Sequence, residues 1–465
     1  MKKNDEIEVT IESLAYGGKG FTKVDNLALF VRNSLPGDRA LVKVIKKRSG
    51  FAEAIPIEFL KRSRHYVDPE CPHFKHCGGC TFQNLAYEEQ LAQKETQVRD
   101  VLEHIGGIKN LDMDSIVPAP EIFYYRNKME YSFSNKRWLT DDDESKPKDF
   151  ALGLHVSGNY QKVLDIDDCR LQSVLSNRIL SSIKKSAQKL KFKPYDVKNH
   201  SGNLRHLIIR EAANTKDVLV NVVTKYNEPS KLKKIVDQLI KDCPEVTTVV
   251  NAVNEGVASI AYGTILNILH GTGTFKEVIV GVNLEIGAQE FLQTNTKAAE
   301  LLYSKVLEYA EPEGGDVIYD LYSGVGSISI YLAPHAQRVT GFELSLDAVE
   351  SAGRNAVSNG VLNCNFISGD IRELFRDVKS LSRTHGAPDI VVLDPPRGGI
   401  HPSIPKRLSS LKPKKIVYVS CNPASFARDV KLFNEKGYSL NRLQSFDLFP
   451  HTPHIELVSL LKPSE

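Results

Sequence analysis

"DVIYDLYSGVGS", residues 316–327, decides the fold. Val317 to Leu321 reads as a buried strand, and it runs straight into Gly324-Val325-Gly326. A Gly-x-Gly turn between a strand and a helix lets backbone approach a ligand closely. Beyond it the pattern alternates to the end of the chain. Strands are expected at Asp316–Leu321, Arg338–Leu344, Cys364–Ser368, Asp389–Leu393 and Lys415–Val419, with helical stretches such as Leu346–Ser358 and Ala424–Lys436 between them. Such alternation predicts a C-terminal Rossmann-like, doubly wound α/β domain with a mostly parallel sheet. Ligands of these sheets sit at the carboxyl ends of the strands.

The strand ends carry the chemistry. Glu343 closes the second strand, where an acid can accept both ribose hydroxyls of an adenosine. The third strand leads to Gly369-Asp370, a carboxylate placed to face an adenine amino group, and the fourth ends in Asp394-Pro395-Pro396-Arg397-Gly398-Gly399. The first turn is too short for a P-loop and lacks its Gly-Lys-Ser/Thr. It also lacks the full Gly-x-Gly-x-x-Gly of dinucleotide folds. An adenosine ligand without a pyrophosphate fits better, and S-adenosylmethionine is such a ligand. The fifth strand runs through "VYVSCNPASFARD", residues 417–429, and places Cys421 at its open end beside Pro423. A cysteine used only for packing sits more often inside a strand.

Ahead of this domain lie two further regions, as expected for 465 residues at roughly 150 per domain. Residues 5–60 hold five short strand-like runs separated by turn signals such as Tyr16-Gly17-Gly18 and Pro36-Gly37-Asp38, the pattern of a small OB-like β-barrel. Residues 1–65 carry 13 Lys and Arg against 8 Asp and Glu, a net +5 in a chain whose total is only +3. That asymmetry favours a polyanionic partner at the front. Residues 121–285 are mostly strand-like, with helices near Leu171–Lys191 and Pro229–Lys241. The division read from the sequence is 1–62 for the barrel, 63–285 for a β-rich central domain, and 286–465 for the α/β domain, with a helix near 87–104 packing on the latter. The acidic 141–145 reads as a loop tip. No apolar run suggests a membrane span, and no apolar signal core follows the N-terminus, so a cytoplasmic, monomeric protein is expected.

Seven cysteines in an unsecreted chain point to free thiols, metal ligands or chemistry. Cys71-x5-Cys77-Gly78-Gly79-Cys80 is a tight thiolate cluster, and "DIDDCRL" offers Cys169 as a fourth ligand. Four thiolates suit either zinc or an iron–sulfur cluster, and spacing does not choose between them. Cys243 and Cys364 lie in ordinary contexts.

"DLYSGVG", "LDPPRGG", "VSCNPASFARD" and "FDLFPHTPHIE", together with "YYRNKMEYSF" and "GNLRHLIIR", resemble the successive motifs of the RNA uracil-C5 methyltransferase family. The N-terminal barrel resembles the TRAM domain of some members. The resemblance implies Cys421 as nucleophile and Glu456 as base. It implies cofactor contacts for Gln293, Tyr322, Glu343, Asp370 and Asp394, and a 4Fe–4S cluster on Cys71, Cys77, Cys80 and Cys169. Ser327 stands where relatives often have Asn. A TRAM-like domain with a cysteine cluster resembles the 23S ribosomal RNA members more than the transfer RNA ones.

The chemistry asks for these residue types. Uracil C5 is a poor nucleophile until a thiolate adds at C6; a base must then remove the C5 proton. The target base must be flipped out to reach such a pocket. Cytosine-C5 methylation is disfavoured, because those enzymes present the nucleophile after Pro or Thr and no cysteine here follows either. Amino-group methylation is disfavoured because Arg397, not an aromatic, follows the Pro-Pro pair. The remaining alternatives are a transfer RNA uracil-C5 methyltransferase and a non-catalytic RNA-binding iron–sulfur protein on the same fold.

Overall fold

Val317–Leu321 (β1) lies inside an eight-stranded sheet with Arg338–Glu343 (β2), Cys364–Ser368 (β3), Ile390–Leu393 (β4), Lys415–Ser420 (β5), Tyr438–Phe446 (β6) and Glu456–Pro463 (β7). This is a computed structural model, and it describes residues 1–109, 111, 113–140 and 147–464. The acidic stretch 141–145 lies outside the described residues. The strand order is β3-β2-β1-β4-β5-β7-β6, and Asp114–Val117 adds an eighth strand beside β6. β1 to β5 are mutually parallel. β7 doubles back, antiparallel to both β5 and β6. The near-continuous apolar strands, Val391 and Val392 in β4 and Val417 to Val419 in β5, are fully buried. That is what a sheet covered by helices on both faces requires.

The expected elements of this domain appear with small shifts at their ends. Leu346–Ser358 is helical over the expected residues. The helix after Cys421 runs Pro423–Asn434, starting one residue early because proline is well suited to a first helical position. The strand Asp114–Val117 was not expected. Its four residues are short and partly exposed, and their place is set by pairing with β6 rather than by their own pattern.

The N-terminal unit is a six-stranded sheet in the order Glu6–Thr10, Arg39–Lys47, Phe51–Lys61, Leu27–Val31, Gly20–Val24, Ser13–Leu14. It holds one strand more than the five read from the sequence. The short strand Ser13–Leu14 follows Glu6–Thr10 after a two-residue break, and Gly20–Val24 comes directly after the Tyr16-Gly17-Gly18 turn. The middle of the chain forms a second eight-stranded sheet whose inner strands are Val218–Thr224, Leu204–Glu211 and Lys128–Ser134. Helices Val174–Lys189 and Pro229–Asp242 cover it, with Ile179, Ile183, Ile235 and Leu239 in one core with Leu207 and Val220. Helix Tyr87–Val101 continues through a wider π-type turn, Leu102–Gly106. Val98 and Leu102 pack with Phe426 and Val430 of the helix that follows Cys421. Among the described residues, no helix is long and apolar enough to cross a membrane.

Candidate active site

The Ser420-Cys421-Asn422-Pro423 step ends a strand and starts a helix. Asn422 makes this possible. Its Oδ1 accepts the amide of Ala424 at 3.0 Å, capping the helix, and its Nδ2 donates to the carbonyl of Arg397 at 3.0 Å. Cys421 is thereby left half-buried at the carboxyl edge of the sheet, in neither element. β7 brings Glu456 to the same edge. In the antiparallel β5–β7 pair Ser420 stands opposite Leu457. Cys421 and Glu456 are the next residues along from that pair, and the Glu456 carboxyl acts on the Cys421 thiol. β4 delivers Asp394 from the other side, immediately after Leu393.

These groups feel one another. Burial pushes the Cys421 thiol up to about 11; the carboxyls of Glu456 and Asp394 push the same way and the Arg397 guanidinium opposes them. Burial raises Glu456 well above the usual carboxylate range, with Asp394 adding to it and Arg397 opposing. Burial alone pushes Asp394 up to about 7. Asp320 is likewise pushed up to about 7 by burial, although Ser329 Oγ donates to it at 2.6 Å. A buried set of carboxyls with displaced proton affinities beside a thiol is what acid–base chemistry on a bound substrate needs.

The neighbouring strand ends fit an adenosine ligand. Glu343 accepts the amides of Gly324 at 3.0 Å and Ser345 at 2.9 Å, so its carboxylate bridges the ends of β1 and β2. Gly324 has φ +54°, and a Cβ placed on it would meet nothing within 4 Å, so the turn opens onto free space. Ser323 Oγ and Asp320 Oδ1 are buried without a partner among the described residues, as polar atoms awaiting a ligand would be. Tyr322 adopts a left-handed φ of 68° while its amide donates to Phe342. Ser327 is not idle, since Tyr303 Oη lies 3.0 Å from its Oγ in the interior.

Two of the expected contacts also have partners within the protein, Asp370 through its carboxylate and Gln293 through its main chain. Asp370 caps the short helix Ile371–Leu374 and is gripped by the Arg372 side chain, which holds it down to about 2. Gln293 is buried, and its carbonyl accepts Asn127 Nδ2 at 2.9 Å. The histidines of the 447–455 loop have other work. His451 sits against Gln90, with Nδ1 3.2 Å from Nε2, and stacks on Phe123 at 4.4 Å. His454 lies 3.5 Å from Arg397. Burial pushes both down to about 4, so neither carries charge near neutrality. The sequence reading passed over Arg397 and Tyr303 as site residues. Arg397 stood in a quoted motif with no pattern tying it to Cys421, and Tyr303 comes from a distant helix, Thr296–Ala310.

The remaining cysteines gather elsewhere. Cys71, Cys77, Cys80 and Cys169 lie within electrostatic reach of one another. Three of them line a cavity of about 590 Å³ that Gly18, Ser34 and Arg62 of the N-terminal region close from the other side. Gly79 donates its amide to Cys77 Sγ at 3.3 Å and Gln83 Nε2 donates to Cys80 Sγ at 3.2 Å. Such donors suit thiolates that carry negative charge. Among the described residues, no group of three or more His, Cys, Asp or Glu is placed to hold a metal ion.

Known proteins resemble this chain along its whole length. Residues 282–464 match the family model described as tRNA (Uracil-5-)-methyltransferase, and residues 2–57 match the TRAM domain. A Chlorobaculum tepidum protein described as an uncharacterized RNA methyltransferase is 38% identical over 100% of this chain and 98% of its own length. A Caldanaerobacter subterraneus protein with the same description is 38% identical, with 100% of each chain covered. Among solved structures, the Pyrococcus abyssi tRNA (uracil-54, C5)-methyltransferase in complex with S-adenosyl-L-homocysteine superposes with a TM-score of 0.74. It is 30% identical, over 98% of this chain and 99% of that one.

Proposed function

The chain belongs to the S-adenosylmethionine-dependent RNA uracil-5 methyltransferase family, with an N-terminal TRAM domain, and from that premise we propose that it methylates uracil C5 in 23S ribosomal RNA through a covalent bond from Cys421. The observation that carries the reading is the convergence of Cys421, Glu456 and Asp394 where β4 and β5 end and β7 begins.

The residues divide the work as follows. Cys421 adds through sulfur to C6 of a flipped uracil, and the ring electrons make C5 nucleophilic. Arg397 favours the thiolate against the surrounding carboxyls. S-adenosylmethionine supplies an electrophilic methyl group when bound, and Glu343, Tyr322, Asp370, Asp394 and Gln293 would hold it. Glu456 takes the C5 proton, and the electrons left behind expel the Cys421 sulfur. A carboxyl whose proton affinity is raised by burial is a competent base for that step.

We assign residues 1–62 to RNA binding, 63–285 to the domain carrying the cysteine centre, and 286–465 to catalysis. A 4Fe–4S cluster on Cys71, Cys77, Cys80 and Cys169 would brace the chain there. What favours the ribosomal target is the resemblance of the combined barrel and cysteine layout to the 23S members. The likeness to the Pyrococcus abyssi enzyme favours a second reading, transfer RNA, because it extends over 98% of the chain. Mapping 5-methyluridine in ribosomal and transfer RNA from a deletion strain separates the two. Loss from 23S RNA supports the first, loss from transfer RNA only supports the second, and no loss anywhere contradicts both.

A further inference from the structure

Tyr16 lies in the turn between Ser13–Leu14 and Gly20–Val24 of the N-terminal unit, yet it reaches Asn422, 406 positions away. Its hydroxyl lies 3.4 Å from Asn422 Oδ1, the side chain that caps the helix directly after Cys421. The Tyr16 phenol also has Arg397, Cys421 and Glu456 as titratable neighbours. Even so, the residue keeps 46% of its surface open to solvent. It is therefore an aromatic side chain beside the site with nearly half its surface exposed.

The loop that carries Tyr16 is firmly seated. Ala15 donates to Lys19 at 2.8 Å and Gly18 to Ala15 at 2.9 Å, closing a tight turn. Gly17 and Gly18 have φ of +90° and +86°, values that a side chain would strain. A Cβ on Gly18 would come within 2.7 Å of Thr81 Cγ2. The amides of Thr81 and Phe82 in turn donate to the carbonyl of His451, at 2.8 and 3.0 Å. Leu14 donates its amide to Gln93 Oε1 at 3.0 Å. The ring is thus tied, through its backbone, to the loop that leads into Glu456.

An open aromatic face beside a nucleophile suits one kind of partner. A base leaving its helix loses stacking on both sides, and an aromatic side chain restores part of it without regard to base identity. We propose that Tyr16 is a substrate-positioning side chain whose ring forms the outer wall of the target pocket, so that the flipped uridine packs against it while Cys421 reaches C6. The N-terminal sheet then supplies part of the active site itself, besides gripping RNA. The 3.4 Å hydroxyl contact is long, and the ring rather than the hydroxyl does the positioning.

This proposal rests on the uracil-C5 reading above, and its test tells the two apart. Full-length wild type, Tyr16→Ala and Tyr16→Phe are assayed for methyl transfer to ribosomal and transfer RNA isolated from a deletion strain. Binding to S-adenosylmethionine, binding to a uridine-free RNA oligomer and thermal unfolding are measured alongside. Tyr16→Ala is expected to lower kcat/KM for RNA by about tenfold to a hundredfold, as for loss of one stacked base. It should leave cofactor affinity, oligomer affinity and Tm unchanged. Tyr16→Phe should stay within about threefold of wild type, because it keeps the ring. The proposal is overturned if Tyr16→Ala transfers methyl as well as wild type. It is also overturned if Tyr16→Phe falls as far as Tyr16→Ala, or if activity falls only together with Tm and cofactor affinity, which would make Tyr16 a structural tether. A wild type inactive on every RNA would overturn the reading of function and this proposal with it.

Discussion

Lys94 and Asp447, 353 residues apart in the chain, form an ion pair of 2.7 Å with both side chains fully buried. Lys94 also donates to the carbonyl of Phe449 at 3.2 Å, and Asp447 accepts the Phe449 amide at 3.2 Å. The pair fastens helix Tyr87–Val101 to the loop that leads from β6 into Glu456.

Breaking that pair leaves a charge stranded in the interior. Lys94→Met should destabilise the protein by about 3–5 kcal/mol, and adding Asp447→Leu should restore most of the loss, because no unpaired charge then remains. Urea unfolding of the two variants measures both. A single variant that unfolds like wild type would mean water reaches the pair.

The environment of Cys421 gives a pH dependence with a definite sign. Its thiol is pushed up to about 11, and Arg397 is the positive neighbour that opposes this. Removing a positive neighbour favours the neutral thiol, so Arg397→Gln should move the titration higher still. Alkylation of Cys421 by iodoacetamide, followed by mass spectrometry of its peptide, should rise with pH in both proteins. At a given pH between 8 and 9 it should be slower in the variant by about three- to tenfold. An unchanged or faster rate would show that Arg397 does not face the thiol in solution.

The cysteine centre is tested by its contents. Anaerobically purified protein should be brown, with about four irons and four sulfides per chain, and Cys80→Ser should lose most of both. The same variant should unfold at lower temperature, because Thr81 and Phe82, next in the chain, hold the His451 carbonyl. Stoichiometric zinc without iron would overturn the cluster assignment.

The α/β fold was legible from alternation, and the strand ends named most of the residues now found together. Glu343 was legible as the acid closing the second strand, and the structure joins it to Gly324 by a 3.0 Å hydrogen bond. The adjacency of Cys421 and Glu456 was not legible in that way. It arises because β7 doubles back against β5 in the Ser420–Leu457 register, a tertiary pairing that no local pattern encodes. Arg397 and Tyr16 escaped for the same reason. Each looks like an ordinary loop residue until the fold brings it to Cys421. Asp370 shows the opposite limit, since its strand-end position was read correctly while its grip by Arg372 was invisible.

The central claim is that Cys421 attacks first and Glu456 acts afterwards, and a denaturing gel tests it most directly. Labelled RNA from a deletion strain is incubated with S-adenosylmethionine and wild type, Cys421→Ala or Glu456→Gln. The account predicts no protein–RNA adduct and no methyl transfer with Cys421→Ala. With Glu456→Gln it predicts a denaturation-resistant adduct on ordinary uridine RNA, with release slowed by about 10²–10⁴, the usual worth of a general base. A Cys421→Ala protein that still methylates C5 would contradict the account, and so would a Glu456→Gln protein that turns over normally.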